Sequence, residues 1–297
     1  MTKVLITGGT GLVGKQLQQV FKELNIDVAI LSRNPKKENE FKWDISKKYI
    51  DKKAFENVTH IIHLAGAGIA DKRWTIQRKE IIINSRVASA NLLFNSVKEL
   101  NIPLKGFISA SGIGYYGAVT SGQVFTETDA PQNDFISKVC VEWEKSANQF
   151  NTLNIPVTIL RTGVVLSKFG GALSKINTPL FLASLGNGTQ YMPWIHIDDL
   201  CNLYVKATQK NEFTGIYNAV APEHQTNKSF TKTLGKTIKK PMLFLNAPAF
   251  VLKFILGEMA CILLKGSRVS AKKTAKKYAF KYPDLKSALF AIYQKNK

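Results

Sequence analysis

The chain has 297 residues, 45% apolar and 21% charged, ordinary globular composition with length for one large domain or two smaller ones. Its three cysteines, Cys140, Cys201 and Cys261, are too widely spaced for a zinc pattern or a disulfide framework. No stretch reads as a signal peptide and none as a membrane span, so a reducing cytoplasm is the expected location.

In chain order, residues 3–7 (KVLIT) read as a buried parallel strand, followed by the glycine loop TGGTGLVG at 7–14 and a helix over 12–24. Residues 27–31 (DVAIL) are a second strand. Strand, glycine turn, helix and strand in this order make a βαβ unit, the context that turns a weak glycine pattern into a dinucleotide loop. Gly8 serves the tight turn, Gly11 the approach of backbone N–H groups to a pyrophosphate, and Gly14 close helix–strand packing. Gly9, Thr10, Leu12 and Val13 complete the loop and open the helix, whose N-terminus suits phosphate.

The second strand ends in Ser32-Arg33 rather than in an acid. No carboxylate stands there to repel a 2′-phosphate. A guanidinium can stack on adenine and pair with that phosphate, with a hydroxyl beside it, so the expected cofactor is NADP(H).

Further strands follow at 41–45, 60–65, 106–111 and 157–166, with helices at 77–100 and 135–152. On the first of these helices, Ile83, Val87, Ala90, Phe94 and Val97 form an apolar stripe. The alternation predicts an α/β fold: a Rossmann-like, doubly wound parallel sheet with helices on both faces. After Ser167 the rhythm loosens. Helices are expected near 228–238, 248–264 and 268–279, in a smaller, partly helical, basic C-terminal substrate or cap region. The division is thus 1–166, a nucleotide-binding domain to which later segments return, and 167–297.

Most of the charge lies in that second region. Residues 224–297 carry 16 Lys/Arg against two acids, so +14 of the net +20 sits there. Only six of the 41 basic residues are arginine, the better reader of phosphates and bases. A lysine-rich solvated face is the reading adopted, and neither a nucleic-acid nor a membrane partner is favoured. The apolar segment 248–264, interrupted by Lys253 and Glu258, is expected to pack under the sheet rather than on lipid.

TGGTGLVG, HLAG (63–66), GYYG (114–117), WIHIDDL (194–200) and GIYNAVAPE (215–223) together resemble the extended short-chain dehydrogenase/reductases. HLAGAGIADKRW, SASGIGYYG, RTGVVLSKFGGAL and ILGEMACILLKGSRV (255–269) are similar to its atypical "epimerase family protein" branch, which carries a C-terminal domain of unknown function. The resemblance implies that Leu64 and Ala65 lie under the cofactor ribose and Asp44 near the adenine. It also implies that Asn84 and Arg86 contact the cofactor from the long helix and that Val164 borders the nicotinamide.

The family's Tyr-x-x-x-Lys pair, in which the lysine and the cofactor lower the tyrosine pKa, is missing. The corresponding stretch, DFISKVCVEWE (134–144), has no tyrosine. One register puts Phe135 and Val139 in the two places, another Ile136 and Cys140; Lys138 fits neither. The remaining candidates are Ser111, where the family's catalytic serine stands, for substrate polarisation or loop bonding, and Tyr116, for packing or proton transfer. Cys140 reads as a small core residue, His63 and His196 as structural, and Asp198 and Asp199 as caps of a helix beginning near Leu200. Arg161 either orients an anionic group or satisfies buried carbonyls. No metal is expected.

Two functions remain open. One is an NADP(H)-dependent oxidoreductase or epimerase-like enzyme acting on an unknown small polar substrate, with a homodimer as a possible assembly. The alternative is a non-catalytic NADP(H)-sensing or interaction protein of the same fold.

Overall fold

Nearly continuous apolar runs such as KVLIT and HIIH suit strands buried on both faces, which is where parallel sheets place them. The computed structural model describes residues 2–178, 180–209, 213–243 and 245–294. In chain order the first elements are β1 (Lys3–Thr7), α1 (Leu12–Glu23), β2 (Asp27–Ser32), β3 (Glu40–Asp44), β4 (Tyr49–Ile50), β5 (His60–His63), α2 (Ile76–Glu99) and β6 (Gly106–Gly112). Then come β7 (Val124–Phe125), α3 (Phe135–Asn148), β8 (Val157–Thr162), β9 (Val164–Ser167), β10 (Gly170–Gly171), α4 (Ala172–Ile176), β11 (Trp194–His196), α5 (Ile197–Gln209) and β12 (Gly215–Ala219). The chain continues through α6 (Asn227–Ile238), α7 (Ala249–Leu256), α8 (Cys261–Leu264), β13 (Arg268–Val269), α9 (Lys272–Ala275) and α10 (Leu285–Gln294).

Eight strands form one sheet in the order β12-β8-β6-β5-β1-β2-β3-β4. All pairings are parallel except β4, which turns back antiparallel to β3. Side-chain alternation along β1 divides the core. Leu5 joins Leu93 and Val97 of α2 and Ala147 of α3 on one face. Val4 and Ile6 join Leu17 and Phe21 of α1 and Leu200 and Leu203 of α5 on the other. This is the doubly wound α/β architecture. The second half of the chain supplies β12 and α5 to it. A separate core gathers Leu166, Leu173, Trp194, Phe230, Leu234, Leu285 and Leu289.

Several elements depart from the sequence expectation. The stripe on α2 holds at Ala90 and Val97, which are buried, but Ile82, Arg86, Ser89 and Leu93 are buried in place of Ile83, Val87 and Phe94, because this helix packs on α3 as well as on the sheet. The single strand expected over 157–166 breaks at Gly163, where a Cβ would lie 2.7 Å from the Pro193 carbonyl oxygen. β9 then leaves the large sheet and joins β10 and β11. The helix expected over 268–279 is β13, paired with β7, followed by the one-turn α9.

The expected helix at 248–264 is broken at Gly257 (φ +60°), and α7 has no buried residue. It does not pack under the sheet. Nor do Asp198 and Asp199 cap a helix at Leu200: α5 begins at Ile197, and the Asp198 N–H donates to His196 Nδ1 at 3.1 Å. Asp199 is fully buried and accepts from Tyr278 Oη (2.7 Å), Lys281 N (2.8 Å) and Tyr282 N (3.0 Å), which binds the C-terminal segment to α5.

Candidate cofactor site and active site

The sheet order reverses at β1 and β5, so the crevice of an open α/β sheet falls beyond their carboxyl ends. The loops after these two strands meet there at glycine distance. Gly8 has φ +70°, and a Cβ on it would lie 2.9 Å from the Leu64 carbonyl carbon. Thr7 Oγ1 accepts from Leu64 N and Ala65 N, both at 3.2 Å, fixing the second loop to the first. At Gly14 a Cβ would come within 2.4 Å of Gly8 O, so α1 starts directly against the turn. Gln18 Nε2 braces the loop by donating to Gly9 O (2.7 Å) and Gly14 O (3.1 Å).

The N-terminus of α1 is left open. Its N-cap, Gly11, offers no side-chain acceptor, and the first turn holds no acid. Backbone N–H groups and the positive end of the helix dipole are thus available to an anion. A glycine cradle that a Cβ would fill, ending in uncapped donors, fits a dinucleotide pyrophosphate.

Thr7, Ser32 and Asp44 end three neighbouring parallel strands and so share one edge of the sheet. Ser32 is buried, its hydroxyl accepting from Asn34 N at 3.3 Å; Arg33 is exposed. The Asp44 carboxylate accepts from Ser46 Oγ (2.6 Å), Ser46 N and Lys47 N, closing the turn to β4. These bonds hold its pKa below the usual carboxylate value.

Asn84 and Arg86 are not brought together. Two residues on a helix differ by about 200°, and here Asn84 is exposed while Arg86 is buried. Arg86 Nη1 donates to Ala67 O (3.0 Å) and Ile82 O (2.8 Å), and its guanidinium lies 4.7 Å from the Trp143 ring centroid and against Gly66. Burial lowers its pKa to about 10, and its Nε is buried with no protein partner. Val164 pairs with Trp194 and packs against the C-terminal core.

At the carboxyl end of β6 the structure builds a buried polar network. Arg161, next to the carboxyl end of β8, makes a bidentate pair with Glu144 of α3 through Nε–Oε1 (2.9 Å) and Nη2–Oε2 (2.8 Å). Ser111 Oγ donates to the same Oε1 at 2.7 Å. Arg161 Nη1 donates to Tyr116 Oη (3.0 Å), which donates to Asn218 Oδ1 (2.7 Å). Arg161 therefore neither orients an external anion nor mainly serves carbonyls; its charge is spent on Glu144.

Tyr116 is 2% exposed, and burial pushes its pKa up to about 12. This placement matches packing with hydrogen bonding rather than proton transfer. Ser111 is buried and engaged in the same way. The neighbouring Tyr115 differs. It is half-buried, its ring lies 3.3 Å from the Arg161 guanidinium, and its hydroxyl has no protein partner among the described residues.

On α3 the side chains of both registers are apolar. Ile136, Val139 and Cys140 are all buried, whereas Lys138 is exposed. Burial raises the Cys140 thiol pKa to about 11, the condition of an inert core cysteine.

Sequence reasoning missed Glu144, Asn218 and Glu127, whose Oε1 accepts from Asn218 N at 2.9 Å. One signal was present. An arginine inside the apolar strand VTILRTGVVL requires a buried carboxylate somewhere, because an unpaired buried charge is too costly.

Residues 4–219 match the family model described as the NAD dependent epimerase/dehydratase family. The chain belongs to the NAD-dependent epimerase/dehydratase family. Residues 247–292 of this family member also match a domain of unknown function, DUF1731. An epimerase family protein of Staphylococcus aureus is 34% identical over 97% of this chain and 98% of its own length. The chloroplastic epimerase family protein SDR39U1 homolog of Arabidopsis thaliana is 33% identical over 98% and 86%. Among solved structures, the human epimerase family protein SDR39U1 (isoform 2) with NADPH superposes with a TM-score of 0.88 at 28% identity, covering 99% of this chain and 100% of that one.

Proposed function

We propose that this family member binds NADP(H) and acts as an oxidoreductase or epimerase-like enzyme on a small polar substrate. The observation that carries the cofactor choice is the end of β2: buried Ser32 followed by exposed Arg33, with no carboxylate to exclude a 2′-phosphate. The NADPH carried by the human SDR39U1 structure supports it. Gly8 to Gly14 would hold the pyrophosphate, Arg33 the 2′-phosphate, and Leu64 and Ala65 would lie against the ribose. When bound, the nicotinamide supplies hydride chemistry.

The protein's part is to position the substrate and move a proton. Tyr115, rather than Tyr116, offers the hydroxyl for that transfer, because it alone of the two has an unengaged phenol. The Glu144–Arg161 pair holds the ring beneath it. A second reading, a cofactor-binding sensor without turnover, is favoured by one observation: either register puts apolar side chains, Phe135 and Val139 or Ile136 and Cys140, in the places of the tyrosine and lysine, and among the described residues the cation beside Tyr115 is Arg161 on its face.

A thermal-shift titration with NADPH, NADP⁺, NADH and NAD⁺ tests the cofactor assignment. A specific nucleotide at about 100 times its Kd should add about 2.7 kcal/mol of stability. Selective stabilisation by the phosphorylated pair, erased in Arg33→Ala, is the expected result; equal response to all four would refute the preference. Substrate-dependent loss of NADPH absorbance, abolished in Tyr115→Phe with nucleotide binding intact, separates enzyme from sensor.

A further inference from the structure

α7 is turned inside out for a helix of a globular protein. Phe250, Val251, Phe254 and Ile255 stand at i, i+1, i+4 and i+5, one stripe, and that stripe faces solvent. Phe250 is 74% exposed and Phe254 85%. The patch extends beyond the helix. Leu243 N donates to Leu182 O and Ala247 N to Ser184 O, so Leu243 and Ala247 lie beside the Leu182–Ser184 stretch. The two stretches add exposed Leu180 (76%), Phe181, Leu243 and Leu245 (82%). Contiguous exposed apolar surface of this kind marks an interaction site.

We propose that this face docks on an anionic lipid bilayer, with α7 lying in the interface and Phe250 and Phe254 inserted. Charge complementarity selects this occupant. Lys253 lies within the helix between the two phenylalanines, and Lys265 is exposed just after α8. Lys232, Lys236, Lys239 and Lys240 line a cavity of about 370 Å³ with Pro241 and Met242, directly beside the apolar segment that Met242 begins. Lys240 Nζ itself donates to Asn177 Oδ1 and Thr178 O. That cavity suits a headgroup phosphate.

A second copy of this chain would bring the same lysines against their own equivalents. A lipid surface meets them with the opposite sign. Lysine also suits the role physically, because its stem lies along apolar surface while the ammonium stays at headgroup level. No helix among the described residues is long and apolar enough to cross a membrane, so the contact is interfacial. The face is anchored to the nucleotide domain. Lys79 Nζ pairs with Glu258 at 2.6 Å, and Gly257 lies against Arg73 in the loop after β5.

Co-sedimentation of the full chain with vesicles tests the proposal, using phosphatidylcholine alone and phosphatidylcholine mixed with phosphatidylglycerol, at physiological salt. The expected result is partition to the mixed vesicles only, reduced about tenfold by Phe250→Ser and again by Phe254→Ser, from the apolar area each removes from the interface. Lys253→Glu should weaken it as well. Because these side chains are exposed, melting temperatures should stay at the wild-type value, which keeps loss of binding distinct from loss of fold. No sedimentation with mixed vesicles overturns the proposal, as does binding that Phe254→Ser leaves unchanged. A concentration-dependent dimer that Phe254→Ser dissociates would assign the face to self-association instead.

Discussion

Individual residues of this protein are decided by partners far away in sequence. Arg161 and Glu144 are both nearly excluded from water and bonded bidentately. Removing one partner leaves the other charge buried and unpaired, so Glu144→Gln should cost about 3–5 kcal/mol in denaturant unfolding. His63 is another such case. Trp143 Nε1 donates to His63 Nδ1 (3.3 Å), and His63 Nε2 bonds Ser89 Oγ (2.7 Å), whose own proton goes to backbone carbonyls of α2. This requires a neutral ring. Burial, with Arg86 nearby, lowers the His63 pKa to about 3, and burial, with Lys105, lowers that of His60 to about 4. Both pKa values are depressed, so the unfolded chain takes up these protons first, near pH 6.5. The stability they contribute is full above that pH, falls below it, and is gone once pH drops through the folded values. Urea midpoints measured across this acidic range should fall steadily, and His63→Gln should flatten the dependence by about one proton.

At the scale of elements, the glycine loop and α1 form a unit whose chemistry follows from the absence of side chains. Gly14→Ala places a Cβ 2.4 Å from Gly8 O. The helix must then shift, at about 1–3 kcal/mol, and its N-terminal donors leave the crevice. Calorimetry should show nucleotide binding lost while the chain still folds. This unit was legible in the sequence because glycine spacing, an apolar strand and an amphipathic helix are all local signals. α7 was not. Its apolar letters read as core, and burial is a property of what surrounds an element. The buried flank of α2 at Arg86 and Ser89 has the same origin, since α3 covers side chains that helical periodicity alone leaves polar.

For the whole molecule, one buried carboxylate gathers three of the bonds that join the C-terminal segment to the sheet side. Asp199 gathers Tyr278, Lys281 and Tyr282 onto α5, just before α10 enters the second core. Asp199→Ala leaves those donors without their acceptor and should cost about 2–4 kcal/mol. Limited proteolysis should then cut first within the 276–284 segment. A variant that resisted proteolysis there as well as wild type does would show that the C-terminal core holds the segment unaided.

The sequence by itself determined the doubly wound sheet, the nucleotide loop, the carboxylate-free end of β2 and the loss of the Tyr-x-x-x-Lys pair. Each rests on residue types at short spacing, where strand, turn and helix geometry follow from neighbours. Only the tertiary structure decided what Arg161, Asp199 and Tyr116 do and which way α7 faces. Tyr116 and Asn218 are 102 residues apart, and Asp199 and Tyr282 83. Buried polar groups take whatever partner the fold brings to them, and no local pattern encodes that encounter.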